Sequence, residues 1–63
     1  MKKWLTVPEV SEYLSFSRSF VYELVEMGKF TILRPEQGIG KKGIRILSDS
    51  VREYESSCTI NLP

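Results

Sequence analysis

Hydrophobic positions change their period along this chain, and the change divides it into helical and extended parts. Val7, Val10 and Leu14 recur at helical spacing, and after a break Val21, Leu24 and Val25 do so again at i, i+3 and i+4. From Phe30 onward the pattern differs. Phe30 to Arg34 and Gly43 to Leu47 are rich in β-branched and aromatic residues, and in the second run Ile44 and Ile46 alternate with Arg45. The isoleucines are expected to face the helices and Arg45 to face out. A last short stretch places Val51 and Tyr54 on one helical face.

Local signals sharpen the two leading helices. Thr6 followed by Val7, Pro8 and Glu9 forms a capping box, with Leu5 and Val10 as a hydrophobic staple and Pro8 in the first turn, where its missing N–H costs nothing. Ser15, Phe16 and Ser17 then make a tight corner: Phe16 plugs the gap between helices and Ser17 caps the second one. That second helix runs from Arg18 to about Met27 and stops at Gly28 and Lys29. Its outward face carries Arg18, Ser19, Tyr22, Glu23 and Glu26. Two short helices with so tight a corner follow the helix-turn-helix plan, in which the second helix lies in a DNA major groove.

The extended runs read as a hairpin whose tip, Pro35 to Lys42, holds Gly38 and Gly40 as well as Lys41 and Lys42. Ser48 or Asp49 is expected to cap a third helix from Ser50 to about Ser56. Glu55, at a position where an apolar residue would serve better, predicts weak anchoring of that helix. Residues 1–57 are thus read as one domain and 58–63 as a tail, extended or loose.

A chain of 63 residues has room for one domain with a thin core. A single cysteine, Cys58, allows no internal disulfide, and the lack of histidine removes zinc sites of the usual spacing. No nucleophile stands beside a base and no phosphate-cradling loop precedes a helix, so neither an enzyme nor a bound cofactor or metal is expected. Pro8, Glu9 and Glu12 interrupt any signal-like start, and no run approaches a membrane span, so a cytoplasmic protein is expected. The formal net charge of +1 hides a segregation. Lys29, Arg34, Lys41, Lys42 and Arg45 stand against Glu36 alone over residues 29–47, a net of +4, while residues 1–28 carry −1 and residues 48–63 carry −2.

The strings LTVPEVSEYL, SFSRSFVYEL, GKF and GIRILSDSVREY resemble the excisionase-type, MerR-like winged helix-turn-helix family, over Leu5 to about Tyr54. The resemblance implies a small α+β fold of two helices, a β-hairpin wing and a short C-terminal helix. It implies sequence-specific binding of double-stranded DNA without catalysis, as a recombination directionality factor or a small transcription regulator. Helix 18–27 would enter the major groove and wing 32–46 would lie on the backbone or minor groove. The residues placed at DNA are then Ser17, Arg18, Ser19, Tyr22, Glu23, Arg34, Lys41, Lys42 and Arg45. Phe20 and Glu23 depart from the family pattern, where a small Thr and a basic residue are common.

Each of these residues has a plainer reading. Arg18 and Ser19 could be solvated helix-start residues, Tyr22 could cover the core edge or reach a phosphate, and the wing cations could merely protect a sheet edge. Glu23 could accept from a cytosine amino group or simply be repelled by phosphates. Expected partners are duplex DNA, further copies of the chain head to tail on DNA, and an integrase or recombinase. The competing class is an adaptor or inhibitor that reuses the winged fold to bind protein.

Overall fold

The computed structural model describes residues 1–35 and 43–60. Most of the expected wing tip, Lys41 and Lys42 included, and residues 61–63 lie outside the described residues. The order of elements is β1 (Trp4–Leu5), α1 (Val7–Leu14), α2 (Arg18–Glu26), β2 (Ile32–Leu33), β3 (Arg45–Leu47) and α3 (Ser48–Cys58). The strands form one antiparallel sheet in the order β1-β3-β2, and with three helices this is a winged helix-turn-helix fold.

α1 starts as its sequence requires. Thr6 has extended backbone, its hydroxyl accepts from the Glu9 N–H at 3.3 Å, and the Glu9 carboxylate accepts from the Thr6 N–H at 2.8 Å. A reciprocal cap of this kind stabilises a helix by about 1 kcal/mol. Lys2 adds an ion pair to Glu9 at 2.7 Å. The Lys2 ammonium and the Thr6 N–H together hold the Glu9 carboxyl at a pKa of about 2, below the usual carboxylate range.

Sheet and helices meet in a core whose fully buried members are Ile46, Val10, Val21 and Val51, one from each of β3, α1, α2 and α3. Each such side chain contributes about 1.5–3 kcal/mol of burial. Ile44 and Ile46 are buried and Arg45 between them is exposed, the alternation the sequence predicts.

Four elements differ from the sequence reading. Trp4 and Leu5, given no element by the sequence, form strand β1, with Trp4 opposite Leu47 and Leu5 opposite Ile46. A two-residue strand is too short to show a period, so only its distant partner reveals it. β2 and β3 are likewise shorter than the runs that announced them, with Ile32 opposite Ile46 and Leu33 opposite Arg45.

The third helix begins two residues earlier than expected and extends through Cys58. Leu47 occupies its N-cap position, so neither Ser48 nor Asp49 caps it by a side chain. The reason is that β3 passes into α3 without a loop. The Ser48 N–H donates to the Lys3 carbonyl at 2.8 Å, while the buried Ser50 hydroxyl donates to the Leu47 carbonyl at 2.7 Å and accepts from the Thr31 N–H at 3.0 Å. Nor is the helix weakly held at Glu55, whose carboxylate accepts from the Tyr13 hydroxyl at 2.7 Å and ties α3 to α1. That carboxylate raises the Tyr13 pKa above its ordinary value. Tyr54 packs edge-on to Phe30, with ring centroids 5.3 Å apart.

Candidate nucleic-acid interface

The corner between α1 and α2 is built by a helix ending in a conformation that L-residues disfavour. The Phe16 N–H reaches back to the Ser11 carbonyl at 3.0 Å and the Ser15 N–H to Glu12 at 3.3 Å, which is the paired closure of a Schellman motif. Ser15 supplies its left-handed residue, at φ 59° and ψ 35°. The Ser11 hydroxyl donates to the Phe16 carbonyl and fixes the corner further. Phe16, half-buried against the core, meets Phe20 edge to face at 4.9 Å, so the aromatic pair sets how α2 leaves the corner.

Ser17 caps α2 by accepting from the Phe20 N–H at 3.1 Å. The helix ends in the same motif as α1, with Lys29 N–H to Leu24 O and Gly28 N–H to Val25 O, both at 3.0 Å. Here the left-handed position is filled by Gly28, at φ 73°. Val21, Leu24 and Val25 are buried, which turns Ser19, Glu23 and Glu26 outward. Ser19, Tyr22, Glu23, Glu26 and Met27 line an open groove along that face.

The wing base stands beside the far end of this helix. Arg34, directly after β2, lies 3.7 Å from the Glu26 carboxylate, both side chains being about half exposed. A pair this long and exposed adds at most about 1 kcal/mol, and its geometry puts the end of β2 beside the C-terminal end of α2. Arg45 is exposed opposite Leu33, and its guanidinium donates to the Ile44 carbonyl at 3.2 Å. At Gly43, φ is 82° and an added Cβ would stand 2.9 Å from the Pro35 ring, so the two arms of the wing approach too closely there for a side chain.

The sequence-derived residues therefore divide. Ser17, Arg18, Ser19 and Glu23 are exposed on α2 or its cap, and Arg34 and Arg45 are exposed at the wing base. Tyr22 is half-buried with its ring against the core while it also lines the groove, so it covers the core edge and borders the outward face at once. Arg18, Lys29 and Arg45 form no ion pair with another described residue, whereas Lys2 and Arg52 are engaged by Glu9 and Asp49, each at 2.7 Å.

Sequence reasoning missed two features of this face. Phe20 and Met27 are exposed on one flank of α2, at 38% and 63%, and their spacing of seven residues was the signal. Glu26 is drawn toward the wing by Arg34, which no local pattern announces because the partners lie on different elements.

Among the described residues no helix is long and apolar enough to cross a membrane. A comparison with curated proteins and one with solved structures each found no match to the chain. The family model described as helix-turn-helix domain matches residues 4–59, which takes in every element from β1 to α3. With nearly its whole length matched, the chain belongs to the helix-turn-helix domain family.

Proposed function

We propose that this protein binds double-stranded DNA sequence-specifically, with α2 in the major groove and the wing on the adjoining backbone or minor groove. It acts there without catalysis, as an excisionase-like recombination directionality factor or a small transcription regulator. The observation that carries the reading is the position of the Arg34 guanidinium 3.7 Å from Glu26, which sets the basic wing base alongside the exposed face of α2. A helix presenting Arg18 and Ser19 at its start, with Arg34 beside its far end, offers base contacts and phosphate contacts together, and Arg45 adds a further exposed cation on β3. One such module has a small footprint, so several copies are expected on one duplex. The net positive charge of residues 29–47 on one copy complements the acidic Asp49, Glu53 and Glu55 of the next, which supports a head-to-tail contact on DNA, and an integrase or recombinase sharing the DNA is the fitting larger partner.

The test is selection of bound sequences from random duplexes, followed by a salt titration of the selected site. Enrichment of a sequence, with log affinity falling by about 0.9 per phosphate contact for each unit of log salt, supports the reading. The exposed Phe20 and Met27 beside Glu23 favour a second reading, an adaptor that binds protein through α2. Duplex binding that is absent or unselective, with capture of a protein partner that survives high salt, would favour the adaptor.

A further inference from the structure

We infer that Glu23 is the specificity-determining residue of α2 and that it selects a cytosine in the major groove; this rests on the DNA-binding reading above. The helix geometry singles it out. With Val21, Leu24 and Val25 buried, the direction opposite the core is occupied by Ser19, Glu23 and Glu26. Ser19 precedes Glu23 by one turn and is too short to reach as far. Glu26 is drawn toward the wing base by Arg34 at 3.7 Å. Glu23 is exposed in the groove and forms no ion pair with another described residue, so it is the one outward carboxylate of α2 left for a base edge.

The chemistry of that carboxylate is one-sided. It only accepts hydrogen bonds, and in the major groove cytosine offers the N4 amino group as a donor beside no acceptor of its own. Guanine presents O6 and N7, two acceptors that repel it, and thymine presents O4 and a methyl group. Adenine offers its N6 amino group next to the N7 acceptor, where a carboxylate is opposed and a carboxamide is matched twice. A carboxylate facing DNA also weakens contact with every phosphate nearby, so it suppresses binding to the wrong sequence as well as rewarding the right one. The cations that offset this repulsion stand at the two ends of the helix, Arg18 at the start of α2 and Arg34 beside Glu26 near its end.

The experiment compares the wild-type chain with E23Q and E23A in selections from random duplex DNA, followed by affinity measurements on the selected and on scrambled duplexes. Glu, Gln and Ala all favour helix, and circular dichroism confirms that the folds match. The wild-type selection is expected to contain one position that is nearly always cytosine, with a loss of about 5- to 150-fold when that pair is changed. E23Q should turn the same position to adenine, and E23A should leave it degenerate. Both variants should bind scrambled duplex more tightly than wild type. Base preferences that are the same in all three chains would overturn the inference, even with a uniform gain of affinity, since Glu23 would then act only as a repelling charge. A wild-type selection that enriches no sequence would overturn the DNA-binding reading itself and this inference with it.

Discussion

Replacing Ser15 with glycine should stabilise the protein, because the corner before α2 holds an L-residue where only glycine is at ease. Ser15 sits at φ 59° and ψ 35°, the left-handed region, where the Cβ costs an ordinary residue about 1–2 kcal/mol. Its side chain is exposed and takes part in no hydrogen bond, so removing the hydroxymethyl group sacrifices no contact. Against the relief of strain stands the greater freedom of glycine in the unfolded chain, about 0.5–1 kcal/mol. From the middle of each range the net gain is about 0.75 kcal/mol, and for a domain of this size the midpoint of thermal unfolding should rise by about 3–6 °C. Gly28 provides the mirror experiment on the other helix. There φ is 73° and a new Cβ would meet nothing within 4 Å, so Gly28→Ala isolates the backbone cost without a clash. It should lower stability by about 1 kcal/mol. Circular dichroism melts of the two variants against wild type read both terms, and duplex affinity per folded molecule should stay unchanged in S15G because the outward face of α2 is untouched. A midpoint that stays put or falls in S15G, while G28A loses stability as expected, would refute the claim that the corner stores strain.

Four further outcomes follow from the same geometry. The folded pKa of Glu9, about 2, lies below its ordinary 4.5, so its stabilising effect is present above pH 4.5 and is lost as the pH falls toward 2; melts from pH 6 to pH 2 should show a steeper acid decline in wild type than in Glu9→Gln. Ser50→Ala strands the Thr31 N–H and the Leu47 carbonyl and should cost about 1–2 kcal/mol in urea unfolding, whereas an unchanged midpoint would mean that water replaces the hydroxyl. Arg18→Ala should cost about 1–3 kcal/mol on a selected site and much less on scrambled duplex if Arg18 contacts a guanine, while equal losses would make it a phosphate clamp. Glu53→Lys, at an exposed position without an ion pair among the described residues, should reduce cooperative binding to adjacent sites in gel-shift titrations and leave affinity for one isolated site no weaker.

The helical half of the fold was open to reading because its signals are local. Thr6 and Glu9 stand three apart, Ser17 directly precedes its helix, Gly28 directly follows one, and Val21, Leu24 and Val25 fall on one stripe. Each of these interactions spans a few residues, so spacing alone exposes it. What escaped was decided between distant segments. Nothing around Trp4 and Leu5 hints at a strand until Ile46 and Leu47 are brought beside them, and the earlier start of α3 depends on the Lys3 carbonyl accepting from Ser48. Glu55 looked misplaced because its partner Tyr13 lies on another helix. The candidate site shows the same division: Arg18 and Ser19 were found from their place at a helix start, while the withdrawal of Glu26 toward Arg34 emerged only in three dimensions.

The pairing of β1 with β3 also dictates an order of assembly during synthesis. Trp4 and Leu5 are synthesised well before their partners Leu47 and Ile46, which follow only after about 40 more residues have been added. Closing so long a loop carries an entropic cost that local contacts avoid. The two helices and their corner are close in sequence and can associate as soon as they emerge, but the core they line is completed only by Ile46 and Val51. A nascent chain halted before residue 46 therefore holds a helical pair with an open core and an unmatched leading strand, a form suited to capture by chaperones. Addition of Arg45 to Leu47 supplies the strand that pairs with both β1 and β2, so the sheet beside the helical pair closes only after the local contacts can form.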